Sequence, residues 1–249
     1  ANPQDSAPDG GTLAAEPDGA KARRRRGRID STLAETRARH VEKWQQVLEH
    51  TFERQRNTVM PKVPKKAKPV LVIDEIWDAA RWNRELQADY YRLNYATASV
   101  WGQYMAEQTG IEFDADDMDA WLMENSRIAA EEINGHTRDL IAAGLAADVV
   151  WDAINNVFDV ALSQRAPELA FSGVTTASTF GAQEGARQGG MKTKTWKTNS
   201  AEPRPEHQAM DGETVGIGEL FSNGMKWPGD PAGGADNNAN CCCSVIFGR

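Results

Sequence analysis

The 249-residue chain has three cysteines, and all are consecutive at Cys241, Cys242 and Cys243. A clustered, odd set excludes a secreted disulfide framework, because adjacent cysteines pair poorly with one another. A reducing compartment suits it better. No apolar run approaches the length of a membrane span, so no membrane partner is expected. The opening lacks a basic start followed by an apolar core and does not read as a secretory signal. It also lacks a Met, and a chain that begins ANPQDSAPDGG is expected to be either processed or part of a longer polypeptide. Bulk positive charge is missing too. With 28 Lys and Arg against 36 Asp and Glu, the net charge of -8 excludes nucleic-acid binding by overall charge. The Gly-rich stretch before residue 190 is not followed by Gly-Lys-Ser/Thr, so it is no phosphate-cradling loop. "DADDMD" lacks the spaced ligands, central Gly and terminal Glu of a calcium loop, and reads as helix-cap acidity.

What is present changes along the chain. Apolar residues make up 40 %, low for a chain globular throughout, and Gly and Pro gather at the two ends. The expectation is an α+β protein, with long N-terminal helices followed by a small C-terminal domain of mixed helices and short strands. Residues 1–29 are expected to be a disordered linker, acidic and then basic. Its basic part carries Arg23, Arg24, Arg25, Arg26 and Arg28. Such a cluster either contacts phosphates or an acidic partner, or is a solvated flank.

Residues 30–145 are expected to be helical. Thr32 and Glu35 have capping-box spacing, and Leu33, Val41, Trp44, Leu48 and Phe52 form an apolar stripe. Pro61, Pro64 and Pro69 then make a connector, with Lys62, Lys65, Lys66 and Lys68 as a second basic patch. A long helix is expected from about Asp74 to Thr109 on the series Ile76, Ala80, Asn83, Leu86, Tyr90 and Leu93. Its aromatics keep helical spacing and so favour a packing role over a base-stacking surface. Gly110 ends that helix, and Asp114 with Asp117 is expected to cap the next. The exposed surface is the expected place for His40 and His50, and a helix joint for His136.

Residues 146–249 are expected to form the second domain. Helices are expected over about 147–165 and 166–188, the second rich in small residues that allow close approach. "MKTKTWKTN" alternates as a strand, "ETVGIGELF" holds a short extended element, and "CCCSVIF" returns as a last strand. On a strand Cys241 and Cys243 share one face and Cys242 points away. With His207 they supply three soft or borderline ligands, and Asp211 or Asp230 could supply a fourth, so one reading is a structural zinc site. The alternative is a buried cysteine packing on the Trp196 strand, with His207 hydrogen-bonded to a loop. A Cys–His–Asp nucleophile triad is a third reading. Asp211, Glu213, Asp230 and Asp236 lie among Gly and Pro, where turn formation accounts for them.

The ordered pieces of the last sixty residues are Lys194–x–Trp196, Arg204–Pro–x–His207, Asp211–Gly212, Leu220–Phe221, Pro228–Gly229–Asp230–Pro231 and Asn240 ahead of Cys241 and Cys243. In this order they resemble the bacteriophage Mu protein F-like minor head protein family, also called phage head morphogenesis proteins. That family usually closes Asn-Cys-Arg-Cys; here the middle residue is Cys242, which keeps the outer cysteines and loses a charge. The helical stretch "WDAARWNRELQADYYRL" is similar, more loosely, to the end of portal proteins fused to such a domain. The resemblance implies a non-enzymatic virion protein of the phage head, assembled in the host cytoplasm and working at the portal vertex in head assembly, packaging or delivery. Its implied partners are the portal ring and other head proteins, with several copies around the ring and packaged double-stranded DNA within reach.

Overall fold

The computed structural model describes residues 18–65 and 71–249, with side chains from Leu33 onward. Two units divide the chain, Ala1–Arg39 and His40–Arg249. In the first, the backbone is helical from Asp18, and Arg39 donates to Thr36 Oγ1 at 3.0 Å. Helix α1 is Asp18–Val59, so Thr32 and Glu35 fall inside a helix rather than at its start. The expected linker 1–29 also overlaps this helix. Straight-chain Arg and Lys lose little freedom in a helix, and no Pro interrupts the run. Arg23, Arg24, Arg25, Arg26 and Arg28 therefore lie on helical backbone, and their side chains fall outside the described residues. So do Lys66 and Lys68.

In the second unit, one helical turn, α2 (Ile73–Ile76), precedes α3 (Ala79–Thr109). The expected single helix from Asp74 breaks there because Trp77 is extended and Asp78 caps α3 by accepting from the Arg81 N–H at 2.9 Å. Gly110 closes α3 at φ 77°, a left-handed conformation that a side chain would strain. A 3₁₀ turn at Asp116–Met118 leads into α4 (Asp119–Leu145). The Asp114 carboxylate accepts from the Asp116 N–H at 3.0 Å, so it braces this turn rather than capping the helix itself. Helix α5 (Val150–Val160) passes through a π turn, Ala161–Arg165, into α6 (Ala166–Gln188). Pro167 has no N–H for the ladder, and the π turn absorbs the break.

Trp44, Leu48 and Phe52 of α1 are buried against Leu86, Tyr90 and Leu93 of α3, Ile133 of α4, and Ala170 and Val174 of α6. A second cluster joins Val59, Trp77, Trp82, Ile141, Ile154 and Phe158. The aromatics at helical spacing thus serve packing. Helices α3 and α6 approach very closely: a Cβ on Gly181 would stand 2.0 Å from the Ala98 carbonyl oxygen, and one on Gly185 2.2 Å from that of Gly102. Polar groups also line the interior. Gln55 Nε2 donates to Asn134 Oδ1 at 2.8 Å, and Asn134 Nδ2 donates to Asn83 Oδ1 at 2.9 Å. His40 is half-buried, with Nδ1 2.9 Å from Thr97 Oγ1 and its ring edge-on to Trp101. His50 and His136 are exposed, and His136 lies inside α4 rather than at a joint. No described helix is long and apolar enough to cross a membrane.

The rest is small and mixed. Strands β1 (Thr193–Lys197), β2 (Thr214–Gly216) and β3 (Ser244–Gly248) form an antiparallel sheet in the order β2-β1-β3. Trp196 pairs with Val245, and Lys194 pairs with Val215 on one side and Phe247 on the other. Between the strands lie the single helical turns α7 (Pro205–Ala209) and α8 (Gly234–Asn238). Helix α6 is the floor under this unit. Thr175 Oγ1 donates to the Cys241 carbonyl at 2.8 Å, Thr176 to that of Gly229 at 2.8 Å, Thr179 to that of Pro228 at 2.6 Å, and Gln183 to that of Ile217 at 2.6 Å. One helix face therefore satisfies four loop carbonyls that would otherwise be costly to bury.

Candidate metal centre

Pro205 starts α7 with the fixed φ that a first helical turn needs, and that turn carries His207 inward. The imidazole is 2 % exposed and meets the Trp196 indole edge-on at 5.4 Å between ring centres. The cysteines arrive from the other end. After α8, Asn240 takes φ 53°, a left-handed conformation that Asn tolerates better than most residues. Its N–H donates to Ser172 Oγ at 3.1 Å, which ties the bend to α6. Cys241 and Cys243 then turn inward, 2 % and 5 % exposed, while Cys242 is only half-buried. The Cys242 carbonyl accepts from Asn199 Nδ2 at 3.0 Å. The alternation expected for the cysteines holds, although β3 itself begins only at Ser244.

His207 Nδ1 stands 3.4 Å from Cys243 Sγ and 3.8 Å from Cys241 Sγ. One ligand atom from each of the three residues lies within 4.8 Å of the others. This buried His207/Cys241/Cys243 cluster can coordinate a metal ion. The two thiols share their acidity unequally. The Cys241 thiol beside it, together with His207 and the Trp196 indole, holds Cys243 well below an ordinary thiol, against the effect of burial. Cys241 is pushed up by Cys243 and by burial. One sulfur is thus already inclined to the thiolate form that a metal requires.

The expected fourth ligands are elsewhere. Asp211 is exposed; its carboxylate accepts from the Thr198 N–H at 2.8 Å and from Lys197 Nζ at 3.0 Å. Asp230 is buried, but its two oxygens accept from the Lys226 N–H at 2.7 Å and the Ala232 N–H at 3.0 Å. Both carboxylates stabilise turns of their own, and neither joins the cluster. The triad reading meets a similar gap. His207 Nε2 is buried, and among the described residues no carboxylate bonds to it. Glu213 likewise serves a turn, accepting from Ser222 N–H and Oγ at 2.7 Å each.

The remaining motif residues surround this centre and hold its shape. The Arg204 guanidinium donates to the Ala239 carbonyl, linking the start of α7 to the end of α8. Gly212, at φ 88°, returns its N–H to the Trp196 carbonyl at 2.9 Å. Gly229 sits at φ 84° against Thr176, and Pro231 opens a 3₁₀ turn capped by Asp230. Phe221 stacks edge-on against Trp196 at 5.1 Å.

Lys194 was visible as a motif residue but not as a buried one. It is 0 % exposed, with Nζ 5.3 Å from the centre of the Phe221 ring and no hydrogen-bond partner among the described residues. Burial, reinforced by Lys226 and opposed by Asp230 and Glu219, pushes its amine down to about 8. The signal for this was strand alternation, which puts Lys194 on the same face as Trp196. In the second basic patch, Lys62 Nζ donates to the Glu75 carbonyl at 3.0 Å and Lys65 lies over the Trp151 ring at 5.1 Å. Comparison of the chain with family models, with curated proteins and with solved structures gives no match.

Proposed function

We propose that the chain is a non-enzymatic structural protein of a tailed-bacteriophage head, working at the portal vertex in head assembly and in genome packaging or delivery. One observation carries the reading beyond the sequence resemblance. Most of the ordered motif residues of the Mu F-like pattern have shape-holding tasks in one small unit, whereas Leu220 is exposed. Lys194 and Trp196 build the inner sheet face; Arg204, Gly212, Gly229, Asp230 and Asn240 hold its turns. Such residues suit a module whose surface docks onto neighbours, and repetition around a ring would multiply modest contacts through avidity. The partners in this reading are the portal ring, other head proteins and further copies of the same chain.

The five arginines within residues 23–28 favour a second reading, a DNA-contacting packaging or ejection factor. Local charge governs contact even when the whole chain is negative. Two measurements test the pair. Peptide mass mapping and antibody labelling of purified phage particles should find this sequence at one vertex. Its presence in infected lysate but not in particles would overturn the first reading. DNA binding that weakens steeply with salt, and loses that slope when Arg23 to Arg26 become Ala, would support the second.

A further inference from the structure

The geometry points to a zinc(II) centre in which Cys241 Sγ, Cys243 Sγ and His207 Nδ1 occupy three corners of a tetrahedron. This inference does not depend on the virion reading. With zinc–sulfur bonds of about 2.3 Å, zinc–nitrogen bonds of about 2.1 Å and tetrahedral angles, sulfur and nitrogen stand about 3.6 Å apart. The observed separations of 3.4 Å and 3.8 Å bracket that edge. Both sulfurs stand nearest the same ring nitrogen, Nδ1, and all three ligand atoms lie within 4.8 Å of one another, so a single ion can be shared among them.

Donor chemistry narrows the metal. Two thiolates and an imidazole are soft and borderline ligands, which suit zinc and disfavour magnesium and calcium. The fourth corner is not taken by the chain's own nearby acids, since Asp211 and Asp230 are committed to turns. Cys242 is turned away, its carbonyl held by Asn199. Three protein ligands with a water also occur in catalytic zinc sites. Here the ligands are only 2 %, 2 % and 5 % exposed and sit in an apolar cluster with Trp196, Met210, Phe221 and Met225. The ion would act as a clasp. It would join α7 to the segment before β3, closing a loop across chain positions 207 to 243 that otherwise relies on short strands and turns.

The test uses the whole chain, reduced, stripped of metal and titrated with cobalt(II) as a spectroscopic stand-in for zinc. The expected result is about one cobalt per chain. It should show a sulfur-to-metal charge-transfer band and the strong visible absorption of a tetrahedral site, both displaced by zinc. Cys242→Ser should keep these bands, while Cys243→Ser and His207→Ala should lose the charge-transfer intensity or the stoichiometric binding. Zinc should also raise the melting temperature of the unaltered chain, a readout that does not depend on any variant folding. Reduced, folded chain that takes up no cobalt or zinc would overturn the proposal. So would binding without thiolate bands, or binding that Cys242→Ser abolishes.

Discussion

The helices of His40–Arg249 and the sheet unit that follows them are stabilised in different ways. The helices bury whole stripes of side chains: Trp44, Leu48 and Phe52 from one, Leu86, Tyr90 and Leu93 from another. The sheet unit has three strands of three to five residues, two single-turn helices and one apolar cluster of six buried residues. It depends on a few residues with singular tasks, and on α6 as a donor of hydrogen bonds. A stripe tolerates substitution by similar residues, whereas a singular task does not.

The largest effect should come from emptying the buried centre of each region. Trp82 and Trp196 are both fully buried. Replacing either by Ala should cost about 4 kcal/mol from lost transfer and the cavity left behind. The two losses should differ in place. Trp82→Ala should lower the melting of the whole helical body. Trp196→Ala should speed amide exchange mainly in β1, β3 and α7, because that indole faces both His207 and Phe221. Uniform exchange across the chain in both variants would erase the distinction between the regions.

The next test sits on the surface that couples them. Gly181→Ala places a methyl 2.0 Å from the Ala98 carbonyl oxygen, a backbone atom that no rotamer change can move. Helix α6 must then withdraw from α3, at a cost of about 3 kcal/mol, near the upper end for overpacking. For a chain of this size that lowers the melting temperature by about 10 °C. Since α6 also supplies Thr175, Thr176, Thr179 and Gln183 to the loops, the displacement should disturb the sheet unit as well as the helices. An unchanged melting temperature would show that the crossing has slack.

The contrast also explains what was legible in the sequence. Apolar periodicity revealed the helical body, because a stripe is written locally. It placed the boundary of α3 too early: Ile76 fits the spacing, while the interruption is the Asp78 cap and the extended Trp77, which spacing does not record. The capping pattern at Thr32 and Glu35 lies within α1, where the basic run upstream already continues as helix. In the sheet unit, alternation correctly put Cys241 and Cys243 on one face, and ligand chemistry joined them to His207. It said nothing of where the carboxylates of Asp211 and Asp230 turn, since neighbouring backbone N–H groups claim them. The close crossing of Gly181 on Ala98 is likewise a meeting of distant segments, and small residues alone announce only that approach is allowed.

The smallest of these effects concerns Lys194, where the sheet unit breaks the ordinary rule against burying an unpaired amine. Its amine is pushed down to about 8 by burial and Lys226, with Asp230 and Glu219 opposing, from an unfolded value of 10.5. A lowered basic group binds fewer protons folded than unfolded over that interval, so stability rises with pH there. Below the folded value the charged amine carries its full penalty. Above the unfolded value the penalty is gone. From pH 8 to 10.5 the chain should therefore gain about 2 kcal/mol relative to Lys194→Met, whose side chain does not titrate. At neutral pH the methionine variant should be the more stable of the two, because it keeps the apolar contact with Phe221 and removes the buried charge. Parallel urea unfolding of both proteins across that pH range checks the sign. If Lys194→Met is instead less stable at neutral pH, and the two curves stay parallel up to pH 10.5, the amine has a partner, and the sheet unit buries no unpaired charge.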